Sequence, residues 1–327
     1  MGVGTTLAIR GVTLLGVLIV VLLIVVVALG ATGLTDKTLN AIVGEHLRES
    51  RQALSQTIRD PEELERVIQV QRQQLIEFYG LDKPWYFRLP DMVWRVLTLD
   101  LGSAKTLKSF TGSSKVSDIV LERLPNTILL VTTALAISAV IGLFVGVKLA
   151  TKVGSRLDRG MSYLSAASYA LPTWWMGILL ILVFSFQLRV FPFSGMYSAP
   201  PPTDGLGRIL DLLWHTALPI LTLVLVSFGS WTYVTRTMVL NTAQEDFVTV
   251  ARAKGLPENL VMRRHIIRVA APPIVTNLIL GLAGSIAGAI LTETVFNWPG
   301  MGRLYYDAVL AVDETVIIAL TFIFTLV

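Results

Sequence analysis

"ARAKGLPENLVMRRH", residues 251–265, is a compact basic stretch set between two apolar runs. Its meaning depends on what those runs are. The chain is 53% hydrophobic and 15% charged over 327 residues, where an ordinary soluble domain is about 25% charged. A soluble fold could not hide that much apolar surface, so the flanks read as membrane spans and the basic stretch as a loop between them. The chain has no Cys, which excludes disulfides, thiolate chemistry and Cys-based metal sites. Its net charge of +4 is modest. The basic residues cluster beside apolar segments, a pattern that orients a chain in a membrane rather than one that binds nucleic acid.

A bilayer core about 30 Å thick takes roughly 20 apolar residues as helix. Residues 11–31, 124–147, 160–188, 212–235 and 269–292 meet that length without Asp, Glu, Lys or Arg. A further stretch follows Glu314 and is short unless it begins near Ala308, with Asp313 and Glu314 at the interface. The expectation is an all-α membrane protein of about six spans. The first stretch is read as a retained helix: its apolar run is about twice a typical signal-peptide core, and no clear small-x-small cleavage site follows. Lys148, Lys152, Arg156 and Arg159 mark one loop as cytoplasmic, and Arg236, Arg252, Lys254, Arg263, Arg264 and Arg268 mark another. The loops on the other side carry fewer basic residues, so both termini are expected in the cytoplasm.

Three regions follow: an N-terminal span (1–31), an extracytoplasmic helical insert (32–117) and a membrane core (118–327) with its cytoplasmic loop at 237–268. In the insert, Leu39, Ile42, Val43, Leu47, Leu54 and Ile58 recur at helical spacing over about 38–59. A second helix is signalled by Asp60-Pro61-Glu62-Glu63, a capping residue followed by Pro at the first helical position. It stops near Gly80, with Leu64, Val67, Ile68, Leu75 and Phe78 on its apolar face. The hairpin is either a cover for the membrane part or a docking surface.

The opening stretch can now be read physically. Asp246 to Lys254 predicts a short helix, stopped by Gly255 in a left-handed conformation. Leu256-Pro257-Glu258 then starts another, with Pro where no internal N–H partner is needed. Small Ala251 and Ala253 leave room for a close approach to the first helix. Connections in bundles commonly run about 2–8 residues, so a two-helix elbow exceeds what connection requires. It is either a contact surface or an amphipathic pair on the anionic inner leaflet.

"DFVTVARAKGLPENLVMRRHIIRVAAPPIV" (246–275) resembles the cytoplasmic signature loop of permease subunits of ATP-binding-cassette importers. "ETVFNWPGMGRLYYDAV" (293–309) and "YGLDKPW…LDLGSA…VSDIVLERLPNTILL" (79–130) narrow the likeness to the first permease of the dipeptide/oligopeptide/nickel importers. The likeness covers roughly 7–30 and 79–327. The general signature is Glu-Ala-Ala, three residues, Gly, nine residues, Ile-x-Leu-Pro. Anchored on Gly255, it matches only Ala251 and Gly255; Thr249 and Val250 fill the first two places and His265 the Ile place.

The resemblance implies a type I importer transmembrane fold and an elbow, Asp246, Ala251, Arg252, Ala253, Lys254, Gly255, Leu256 and Pro257, that couples to ATPase subunits. It implies a second homologous permease, two ATPase subunits and an extracytoplasmic substrate-binding protein as partners. Short peptides are the expected cargo, with oligosaccharides or nickel as the family's other substrates. ATP and Mg would sit on the ATPase subunits; no Gly-x-x-x-x-Gly-Lys-Ser/Thr occurs here, so this chain is expected to hold no cofactor and to be no enzyme.

Gly281, Gly284 and Gly288 form small-x-x-x-small spacing, read as a permease interface or as packing within the chain. Trp174 and Trp175 follow a span-breaking Pro172 and are candidates to line the pathway. Glu293 and Trp298 are gate candidates, with a turn cap as the alternative for Glu293. His215 reads as structural. A self-sufficient secondary transporter or channel would call for inverted repeats or mid-span charges, and a membrane enzyme for clustered acids or His. None of these is visible.

Overall fold

The computed structural model describes residues 3–285 and 290–326, with side chains apart from those of 3, 88–89 and 282–285. Every element among them is helical, apart from one isolated bridge between Ser103 and Lys115. The chain divides into two compact units, Met1–Glu122 with Tyr305–Leu326, and Arg123–Leu304.

The first unit begins with α1 (Val3–Ala31), long and apolar enough to cross a bilayer. Helices α2 (Leu34–Ser55) and α3 (Pro61–Tyr79) form the anticipated hairpin. Asp60 caps α3 as its spelling predicts, accepting from the Glu62 N–H at 3.0 Å. Gly80 ends it at φ 70, and the Leu81 N–H reaches back to the Ile76 carbonyl at 2.9 Å. Leu39, Val43 and Tyr79 make the buried centre, with Ile42, Leu47, Leu75 and Leu81 packed around it. Phe78, expected on the apolar face, is instead 77% exposed, and its neighbour Tyr79 takes the buried place. The helix ends there, so one residue's rotation decides which ring is covered.

The sequence reading left 81–115 without a helix, yet α4 (Trp85–Leu97) lies there. Pro90 inside it removes one internal hydrogen bond. Packing compensates: Met92, Val93, Val96 and Leu97 share an apolar cluster with Leu18, Leu22 and Val26 of α1 and with Ile318 and Phe322 of α14 (Glu314–Leu326). The expected 118–327 core is thus divided, since its last helix packs with α1. The start of α14 is fixed by a buried anion nest. Asp313 Oδ2 accepts from the N–H groups of Lys105 (2.8 Å), Thr106 (2.8 Å) and Leu107 (3.3 Å). Lys105 Nζ pairs with Glu314 and donates to the Tyr79 carbonyl. Asp313 and Glu314 are therefore buried and satisfied rather than merely interfacial.

In the second unit, α5 (Val116–Ala150, its first turns in the first unit) and α8 (Gly205–Ala243) both outrun their predicted apolar stretches. Apolarity marks only the part of a helix that lipid covers, and capped polar ends carry it further. Asp204 caps α8, accepting from the Gly207 N–H at 2.6 Å. The predicted span 160–188 is instead two helical arms meeting at 99°: α6 (Arg156–Ala170), and α7 (Thr173–Leu180) continued by a π segment, Ile181–Gln187. Pro172 forces Leu171 out of the helical region, to φ −86 and ψ 128. Among the described residues three helices are long and apolar enough to span, and this bent pair would make a fourth. The stretch 269–292 appears as α11 (Ile267–Ser285) and the start of α12 (Ile290–Val295), either side of residues outside the description. With 13 residues, α14 is about 20 Å long, short of a full crossing.

Close helix approach within this unit is set by glycines that the sequence reading passed over. A Cβ on Gly146 of α5 would stand 2.7 Å from Thr235 Cβ of α8, and one on Gly142 would strike Trp231. On the far side of α8, Gly229 lies against the backbone of Ser165, and Ser168 Oγ donates to the Leu225 carbonyl at 2.6 Å. Gly142-x-x-x-Gly146 is small-x-x-x-small packing realised inside one chain.

Candidate coupling elbow and gate residues

The elbow comprises α9 (Asp246–Ala253), the Gly255 corner, a single turn α10 (Glu258–Leu260) and a π segment, Val261–Ile266, that leads into α11. Gly255 has φ 75, a conformation open to Gly at little cost. Beneath α9, Val248, Ala251, Val261 and Ile266 are buried with Ala150 of α5, Val239 of α8, and Ala270 and Ile274 of α11. The elbow therefore sits on the ends of three long helices and cannot rotate without disturbing that cluster.

This packing sorts the predicted residues. Ala251 is 4% exposed and faces inward, three residues after Val248 on the same face, so it offers no room to a partner. Leu256 is half-buried against the cluster. Asp246, Ala253, Lys254, Gly255 and Pro257 are exposed. Arg252 is exposed too, but it is engaged: its guanidinium grips Glu258 in two bonds, 2.7 and 3.2 Å, across the corner. The same contact holds the Glu258 carboxyl below the usual carboxylate range. The outer face also carries Phe247 and Val250, 40% and 51% exposed. Sequence reasoning missed them; their signal was three-residue spacing out of phase with Val248 and Ala251.

A second unpredicted feature braces the neighbouring loop. Arg236, near the end of α8, holds Asp158 in a bidentate pair of 2.7 and 2.9 Å, and Asp158 is 4% exposed. Asp158 also accepts from the Gly154 N–H at 2.9 Å, so the loop before α6 is tied to α8. Breaking such a buried pair by removing one member costs about 3–5 kcal/mol.

The gate candidates occupy a different kind of site. Glu293 is wholly buried. Its carboxylate accepts from Thr127 Oγ1 at 2.7 Å and from the Arg303 N–H at 3.0 Å, at the start of α13 (Met301–Leu310). Trp298 is also buried; its Nε1–H donates to the Asn126 carbonyl at 3.0 Å, and Asn126 Nδ2 donates to the Pro299 carbonyl. These residues staple the 296–300 turn to α5, the turn-cap alternative for Glu293. Trp174 and Trp175 open α7 just past the bend, each 41% exposed. His215 is buried, its Nδ1 at 2.9 Å from the Asp211 carbonyl oxygen, as a structural His would be. Gly281 lies against Trp231 of α8, where a Cβ would come within 3.1 Å of the ring, so it serves packing within the chain. Gly284 is in the last turn of α11, and Gly288 lies outside the described residues.

Membrane-length helices joined at a braced elbow define a multi-pass membrane protein. Residues 138–327 match the family described as "Binding-protein-dependent transport system inner membrane component", and the chain belongs to it. It is thereby a transport permease subunit with the helical type I importer fold. It is similar to the oligopeptide transport system permease protein AppB of Bacillus subtilis, 32% identical over 79% of each chain. It is likewise similar to the di/tripeptide permease DppB of Pseudomonas aeruginosa, 35% identical over 73% of this chain and 74% of that one. A third relative is the peptidoglycan transport permease YejB of Agrobacterium fabrum, 34% identical over 76% of this chain and 68% of that one.

Proposed function

We propose that this permease forms half of a translocation pathway for short peptides, with a second homologous permease forming the other half. An extracytoplasmic binding protein delivers the cargo. Two ATPase subunits, carrying ATP and Mg, grip the 246–257 elbow from the cytoplasm, where both termini also lie. The observation that carries this reading is the elbow's construction. Its inner face is welded to α5, α8 and α11, so a push on its outer face moves those helices as a body. The outer face supplies exposed apolar Phe247 and Val250 beside cationic Lys254, a combination suited to a groove in another protein. The peptide cargo is supported by the relatives named for oligopeptides and for di- and tripeptides. The relative named for peptidoglycan favours a second reading, in which sugar-bearing cargo uses the same machinery.

The test is uptake by proteoliposomes holding this chain, its partner permease, the ATPase subunits and the binding protein. Labelled tripeptide should enter only with ATP inside the ATPase-accessible compartment, and an oligosaccharide should not compete. Gly255→Pro should leave the subunits assembled but abolish ATP-driven uptake. Phe247→Ala with Val250→Ala should reduce recovery of ATPase subunits on purification. Normal uptake and recovery in these variants would refute the elbow's role, and competition by sugar alone would move the cargo to the second reading.

A further inference from the structure

Helix α4 carries three different faces. At about 100° per residue, Met92, Val93 and Val96 point into one sector, Phe87 and Trp94 into a second, and Asp91 and Arg95 into a third, with Tyr86 and Leu97 at the border of the first and second. The first is the face packed on α1 and α14. The third carries an Asp91–Arg95 pair at 3.6 Å and lines an open cleft of about 720 Å³, shared with Glu77, Asp82, Lys83 and Lys105. So charged a cleft is wet. The second sector is bare: Phe87 and Trp94 are each 67% exposed, and Tyr86 at its edge is 54% exposed. Phe87 stands at its border and also edges the cleft.

The level of this helix is fixed by its start. The Trp85 ring sits directly on Gly30, one residue from the end of α1, so closely that a Cβ there would collide with it. Helix α4 packs against the same spanning helix, which itself exposes Val20, Leu23, Ile24 and Val27. Tyr and Trp, with an apolar body and a polar tip, concentrate at the boundary of headgroups and acyl chains.

We propose that α4 is an interfacial helix whose Tyr86–Phe87–Trp94 face rests in lipid, in the leaflet at the Ala31 end of α1, while its charged face borders the aqueous cleft. The occupant is lipid rather than a protein because the face is built of Tyr, Phe and Trp beside the end of a membrane-length helix, where such rings rest at the headgroup boundary.

The absence of Cys makes the test direct. Single cysteines replace Trp94 (W94C) or Tyr86 (Y86C) in the full chain, and a nitroxide label is attached in phosphatidylcholine nanodiscs. V20C supplies the lipid reference and D91C the aqueous one. The expected result is an oxygen-to-nickel-chelate accessibility ratio at 94 and 86 close to that at 20 and severalfold above that at 91. Ratios matching position 91 would overturn the proposal. So would labels shielded from both reagents, which would mean that protein covers the face. Two positions are read so that one variant that folds poorly does not decide the outcome.

Discussion

The chain turns two sharp corners with similar local means and opposite consequences. At the elbow, Gly255 takes φ 75 between α9 and α10; at the 296–300 turn, Asn297 takes φ 52 between α12 and α13. The elbow is held from below by apolar side chains and from the side by an exposed ion pair, which leaves one face unclaimed. The second corner is closed around Glu293, a buried carboxylate whose bonds run to Thr127 and Arg303, and nothing of that carboxylate is offered outward. A corner whose polar groups are exposed can serve a partner; one whose polar groups are buried must spend them on itself.

The most severe way to break this comparison is Glu293→Ala. It removes the acceptor that the Thr127 hydroxyl and the Arg303 N–H share at a buried carboxylate, and an expected loss of about 2–5 kcal/mol should appear in the thermal midpoint in detergent. Glu293→Gln, which keeps an acceptor, should lose less; equal losses would mean that the bonds to Glu293 are not what closes the turn. Next in size is Gly300→Ala. A Cβ there would collide with the Glu293 carboxylate, for an overpacking cost of about 1–3 kcal/mol by the same measurement. The matched change at the elbow, Gly255→Ala, meets no atom within 4 Å. It should cost only the left-handed backbone penalty, about 1–2 kcal/mol. If Gly255→Ala proved the costlier of the two, the claim that burial separates the corners would fail.

The smallest expected effect is that of the Arg252–Glu258 pair. Its exposure limits it to under about 1 kcal/mol. Because Arg252 depresses the folded-state pKa of Glu258, the contribution is complete above the ordinary carboxylate range. It is lost as pH falls through the lowered folded value. Stability followed from neutral pH downward should therefore decline less in Glu258→Gln than in the parent over that acid range. A parallel decline would mean that the clamp contributes nothing.

Sequence alone determined the membrane character, the approximate places of the long spans, the α2–α3 hairpin with its Asp60 cap and Gly80 stop, and the elbow with its turn at Gly255. Each rests on a local or periodic signal: apolar length, capping chemistry, or a residue that tolerates positive φ. Tertiary structure decided what those signals do not encode. It turned the 160–188 span into two arms at 99°, formed α4 despite Pro90, and brought α5 against α8 at Gly142 and Gly146. It turned Ala251 inward and Phe247 outward. It also paired Asp158 with Arg236 across 78 residues and buried Glu293 of α12 against the 296–300 turn. The physical reason is common to all of these. Which face of a helix is covered, and which distant group satisfies a buried charge, depends on neighbours brought together by packing rather than on the residues beside it in the chain.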